Sequence, residues 1–140
     1  MNEGEGGVGV VVVGHGMTAS QLLAAGQAIV GPGALDDVVA VDAGVGQTPE
    51  LVAALARTIA AVDRGSGVLL MVDLLGASPC TCGLREGSGR RLALISGLNL
   101  AMLLKLASLD RSRMSPTELA AACADSALRA VSVRAAEEMR

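Results

Sequence analysis

The 140-residue chain contains no phenylalanine, tyrosine or tryptophan. That excludes aromatic stacking on bases or sugars as a mode of recognition, and it leaves the core to Val, Leu, Ile, Ala and Met. Basic residues are in deficit. Eleven Lys and Arg against 14 Asp and Glu give a net charge of −3, whereas a nucleic-acid partner is normally met by a basic face. Long apolar runs are missing too: mean hydropathy is +0.54, yet no run approaches the roughly 20 residues of a membrane-spanning helix. No direct membrane insertion is expected. The opening Met1-Asn2-Glu3-Gly4-Glu5 is acidic where an export signal is basic. Cysteines are few and odd in number, three in all, which suits a reducing cytoplasm better than a disulfide framework. What remains is one soluble cytoplasmic domain, for which 140 residues supply core enough.

The nucleotide-binding signatures are absent as well. No G-x-x-x-x-G-K-[ST] occurs, and Gly4-Glu5-Gly6-Gly7-Val8-Gly9 fits G-x-G-x-x-G but precedes a strand where the dinucleotide fingerprint follows one. Cys80 and Cys82, one residue apart, with a single histidine in the chain, cannot complete a zinc site. They read as buried structural thiols, and no metal or cofactor is expected.

What is present alternates between strand and helix. Residues 1–7 read as a flexible tail. Val8–Val13 is a continuous aliphatic run, the pattern of a strand buried on both faces. Thr18-Ala19-Ser20-Gln21 matches a capping box with Thr18 as N-cap, and Leu22, Leu23, Ile29 and Val30 form a helical stripe that Gly31-Pro32-Gly33 stops. Val38–Val41 is a second strand. Thr48-Pro49 opens a helix with Leu51, Val52, Leu55, Ile59 and Val62 on its apolar face. Val68–Val72 is the third strand, and Ser78-Pro79 caps a short helix through about Leu84. A polar turn over Arg85–Arg91 leads to a fourth strand, Leu92–Ile95. A helix from Asn99 to about Leu109 packs Leu100, Leu103, Leu104 and Leu106 inward, and Ser115-Pro116-Thr117-Glu118 starts a last helix running almost to Arg140. There is no repeat and no linker. The alternation predicts a single doubly wound α/β domain over residues 8–140, with a mainly parallel four-stranded sheet of order 2-1-3-4 and helices on both faces.

In such a sheet every strand delivers its carboxyl end to one edge, where ligands bind. His15, the only histidine, stands at that end of the first strand, and the plain alternative is an ordinary hydrogen-bonded histidine. Glycine on both sides leaves the imidazole uncrowded and lets the backbone approach a ligand, so Gly16 joins the candidate phosphate-binding residues. Asp73 ends the neighbouring third strand at the same height. A carboxylate there can fix the ring's tautomer and stabilise a positive or phosphorylated imidazole; capping the following turn is its simpler role. Ser78 is an N-cap whose helix start offers free N–H groups to an anion, as does the helix start at Thr18. Asp42 ends the second strand and reads as a cap of the following loop, with bordering the site as the alternative. A histidine between two helix starts suits a transferred phosphoryl group.

These residues resemble the IIA component of the mannose family of the bacterial phosphoenolpyruvate:sugar phosphotransferase system. The resemblance runs through Val12-Val13-Gly14-His15-Gly16 with Gln21-Leu22-Leu23, through Gly67–Pro79 and through Ile95–Leu103. Gly14 and Met17 stand where transporter members carry a hydroxyl residue and an aromatic, and Ala77 where they carry a glycine. The resemblance implies a cytoplasmic phosphotransferase subunit, usually a homodimer. It implies that His15 accepts a phosphoryl group from the phosphohistidine of HPr and passes it to a IIB subunit, with Asp73 on the other ring nitrogen and Ser78 on the phosphoryl oxygens. The alternatives are a regulatory module whose phosphorylation state a partner senses, and the phosphodonor subunit of dihydroxyacetone kinase.

Overall fold

The run Val10–Val13 has no polar side chain to turn to water, and none is turned. Strand β1 (Gly9–Gly14) is buried from end to end. It lies inside a four-stranded sheet with β2 (Val39–Asp42), β3 (Val68–Val72) and β4 (Leu92–Ile95), in the order β2-β1-β3-β4 and parallel at every pairing. Order, direction and layering are those expected from the sequence. The computed structural model describes residues 6–44, 48–74 and 91–139. The expected helix after Ser78-Pro79 and most of the polar turn after it lie outside the described residues.

Side chains of a strand alternate between its two faces, and that alternation divides the aliphatic runs into two cores. Val10, Val12, Leu69 and Met71 face helices α1 (Thr18–Val30), α3 (Leu100–Ala107) and α4 (Pro116–Arg129), through Leu23, Met102, Leu103, Leu106 and Leu119. Val11, Val13, Leu70 and Val72 face helix α2 (Pro49–Val62), through Leu51, Leu55, Ile59 and Val62. Without aromatic rings to span gaps, the layers approach closely. A Cβ added to Gly9 would lie 2.2 Å from the carbonyl oxygen of Val62 at the end of α2.

The helix starts follow local chemistry in three cases. Thr48 accepts the Leu51 N–H and Asn99 accepts that of Met102, while Ser115 and Glu118 form a complete capping box. Asn99 also donates from Nδ2 to the carbonyl of Ala127, tying α3 to α4. At the amino-terminal edge of the sheet, Arg111 is 12% exposed and held by three acceptors. Its guanidinium donates to the carbonyls of Val8 and Ala34, each at 3.3 Å, and to Asp37 Oδ1 at 2.6 Å. Such fork geometry suits arginine for a partly buried charge.

Most of the tail expected over residues 1–7 lies outside the described residues, while Gly7 is buried against the backbone of Arg111 and Ser112. One expectation is corrected. The last helix stops at Arg129 instead of nearing Arg140. Beyond it, β-branched Val131 and Val133 favour extended backbone, and both are exposed, at 76% and 93%, so no buried face extends the helix.

Candidate functional site

Parallel pairing of β1 with β3 sets Val13 opposite Val72, so the next residues, His15 after Gly14 and Asp73, emerge side by side at the carboxyl edge. Asp73 Oδ2 accepts the backbone N–H of His15 at 2.9 Å and lies 3.0 Å from its Nδ1. Asp73 Oδ1 accepts the N–H of Leu74 at 2.9 Å. On the other flank the carbonyl of Gly14 accepts from Ala43, and Gly16 donates to Gly44, both at 2.8 Å. The histidine backbone is therefore held from both sides. Gly16 has φ +56°, a left-handed conformation that strains any side chain, although a Cβ there would meet nothing within 4 Å. Its amide is already given to Gly44, so what Gly16 brings to the site is an open turn and not a free N–H.

The electrostatics decide the ring's tautomer. Burial pushes the Asp73 carboxyl up. The bonds from the His15 backbone, the His15 ring and the Leu74 backbone together outweigh it, and its pKa ends below the ordinary value of 3.8. An ionised carboxylate only accepts, so Nδ1 carries the hydrogen, and in the neutral form of the ring the lone pair is on Nε2. Among the described residues no group takes Nε2. The imidazole is 37% exposed and Asp73 18%, so the ring stands at the rim, oriented by the carboxylate behind it. Met17, two residues after His15, and Leu74, the residue after Asp73, are exposed at 63% and 61%.

A depressed carboxyl pKa is also a stability statement. Its contribution is complete above the unfolded value near 3.8 and is lost as pH falls through the lower folded value. Urea unfolding midpoints of wild type and Asp73→Asn are therefore expected to differ most near neutrality and to converge as acid protonates Asp73. A gap that widens in acid would contradict this.

One local expectation fails here. Thr18 does not cap α1. The N-cap is Met17, which makes no side-chain cap bond. Instead Asp42, expected to cap its own following loop, reaches across to Ser20 in the first turn, accepting its N–H at 2.9 Å and its hydroxyl. Sequence reasoning missed this pair, and the signal for it lay in the sheet register, which pairs Asp42 with Gly14. Ser78, Cys80 and Cys82 lie outside the described residues. The Cys123 thiol of α4 is buried, which pushes its pKa up to about 11 and leaves it no nucleophile at neutral pH. Among the described residues no three His, Cys, Asp or Glu side chains cluster as metal ligands, and no helix is long and apolar enough to cross a membrane.

A family model described as the phosphotransferase system (PTS) fructose IIA component matches residues 9–124. Among solved structures, the mannose/sorbose-specific IIA subunit of the phosphotransferase system from Enterococcus faecalis is 26% identical with a TM-score of 0.73, covering 92% of this chain and 96% of that one. Component EIIA from Streptococcus agalactiae shares the fold at 22% identity and a TM-score of 0.76, over 90% and 96% of the two chains. The PTS IIA protein associated with the fucose utilization operon of Streptococcus pneumoniae does so at 24% and 0.73, over 90% and 93%. No curated protein matches the chain. With the family match spanning most of the domain and the parallel 2-1-3-4 sheet in place, the chain belongs to the mannose/fructose-type IIA family of the sugar phosphotransferase system.

Proposed function

We propose that this IIA chain is a phosphoryl carrier, taking the group onto Nε2 of His15 from the phosphohistidine of HPr and passing it to a IIB subunit. The observation that carries this reading is the Nδ1–Asp73 bond, which leaves Nε2 with its lone pair at an exposed edge. In the forward step the Nε2 lone pair attacks phosphorus, a new N–P bond forms, and the N–P bond to the donor imidazole breaks in line. The electron pair leaves with the donor ring. The His15 ring then bears positive charge, and Asp73 holds its Nδ1–H and balances that charge. Transfer to IIB is the reverse step with a new acceptor. Positioning and charge account for such catalysis, and neither metal nor nucleotide enters.

Gly16 and Ser78 complete the phosphate-binding side of this reading. Gly16 keeps the approach to Nε2 free of a side chain, and the Ser78 hydroxyl serves the phosphoryl oxygens, the role the family resemblance gives it. The reaction belongs in the cytoplasm, where phosphoenolpyruvate is made. A homodimer is part of the proposal. The outer edge of β4 borders a groove of about 430 Å³ lined by Leu94, Ile95, Met102, Leu128 and Val131, and of these Leu128 and Val131 are exposed.

The test is incubation with phosphoenolpyruvate, enzyme I and HPr, followed by ³¹P NMR and mapping of acid-labile phosphate. Label on Nε2 of His15 is the expected result. An unlabelled protein, or label on another residue, refutes the carrier reading.

A further inference from the structure

Asp42 is the last residue of β2, and the register sets it beside Gly14, the residue before His15. Neighbouring strands run about 4.8 Å apart, so the Asp42 backbone passes close to that of the histidine. Its carboxylate is turned onto the first turn of α1, where it takes both the N–H and the hydroxyl of Ser20. The local N-cap, Met17, supplies no such bond. The end of β1 thus has a carboxylate on each side. Asp73 from β3 touches the ring, while the carboxylate of Asp42 from β2 bonds, among the described residues, to the helix that leaves the site.

Resting on the carrier reading above, we propose that Asp42 is a positioning residue that limits how firmly His15 retains a phosphoryl group. Two effects act in the same direction. The carboxylate sits on the start of α1, so the positive end of that helix is already met by a full negative charge and is not spent on phosphoryl oxygens. The same charge belongs to the last residue of the strand beside the histidine's own, an adduct on His15 carries close to two negative charges at neutral pH, and like charges oppose each other. Both effects raise the free energy of phosphohistidine relative to the free ring. A carrier must release what it accepts, and this arrangement favours release.

A plain helix cap would hold α1 equally well without a charge, and that difference makes the test. Wild type, Asp42→Asn and Asp42→Ala are phosphorylated with potassium phosphoramidate. The Nε2 lone pair attacks phosphorus, the P–N bond of the reagent breaks, and nitrogen leaves as ammonia. Loss of phosphohistidine at pH 7 is then followed by ³¹P NMR, with thermal unfolding measured alongside. In Asp42→Asn the side-chain oxygen still accepts the Ser20 N–H, so the melting temperature is expected to stay near wild type. Phosphate loss is expected to slow about two- to fivefold, the size of a helix-terminus charge effect. Asp42→Ala is expected to lose phosphate as slowly and to melt lower, because the cap is gone. Equal or faster loss from Asp42→Asn overturns the proposal, as does a wild type that phosphoramidate leaves unlabelled. A wild type labelled by phosphoramidate but not by HPr counts against the carrier reading alone.

Discussion

No acid-labile phosphate is expected on a His15→Ala variant, and Asp73→Asn is expected to accept phosphate about 100- to 10,000-fold more slowly than wild type. The second figure follows from what Asp73 does with its oxygens. All three groups that meet them are donors: the His15 N–H and the ring at Oδ2, the Leu74 N–H at Oδ1. A carboxylate satisfies all three, whereas an amide has one accepting oxygen and one donating nitrogen. If the asparagine keeps its oxygen toward His15, its NH₂ confronts the Leu74 N–H. If it turns over, the NH₂ faces Nδ1, which must then give up its hydrogen, and Nε2 loses its lone pair to protonation. Either way the charge that balances the phosphorylated ring is gone. Rates come from quenched-flow transfer from phospho-HPr, with circular dichroism to show the fold intact. A well-folded Asp73→Asn with an unchanged rate would reduce Asp73 to a cap of its own turn.

Gly9→Ala is expected to destabilise the protein by about 3 kcal/mol or more, a fall in melting temperature of roughly 10 °C. The added Cβ would stand 2.2 Å from the Val62 carbonyl oxygen and 2.7 Å from its carbon. These are backbone atoms that cannot swing aside, so β1 and the end of α2 must separate and loosen the core between them. Gly16→Ala provides the contrast. Its Cβ is unobstructed, and it bears only the penalty of a left-handed backbone, about 1–2 kcal/mol. Thermal unfolding of both variants checks the ranking. If Gly9→Ala proves the milder, the approach of β1 to α2 has slack that the structure does not show.

Most of the fold was legible because the strands leave no ambiguity of period. Runs such as Val68–Val72 have no polar side to expose, and an unbroken aliphatic strand between helices belongs in a covered parallel sheet. The dyad was legible for the same reason, since His15 and Asp73 each directly follow or nearly follow such a run. What stayed hidden depends on residues far apart. The capping box at Thr18 was a local pattern, and it lost to a carboxylate from Asp42, 22 residues from its Ser20 partner. The end of α4 was hidden by alanine, a good helix former whether or not a face is buried. Only the exposure of Val131 and Val133 shows that packing, and not propensity, set the boundary.

The Arg111 brace bears on how the chain acquires its structure. Arg111 holds the carbonyl of Val8, 103 residues away, and its own carbonyl takes the Val8 N–H. β1 pairs on one side with β3, which begins about 60 residues later. During synthesis β1 therefore waits, with its edge open, until β3 arrives, and its amino end is fastened only once Arg111, 103 residues on, has been made. Such long-range closure slows folding and prolongs the exposure of sticky backbone.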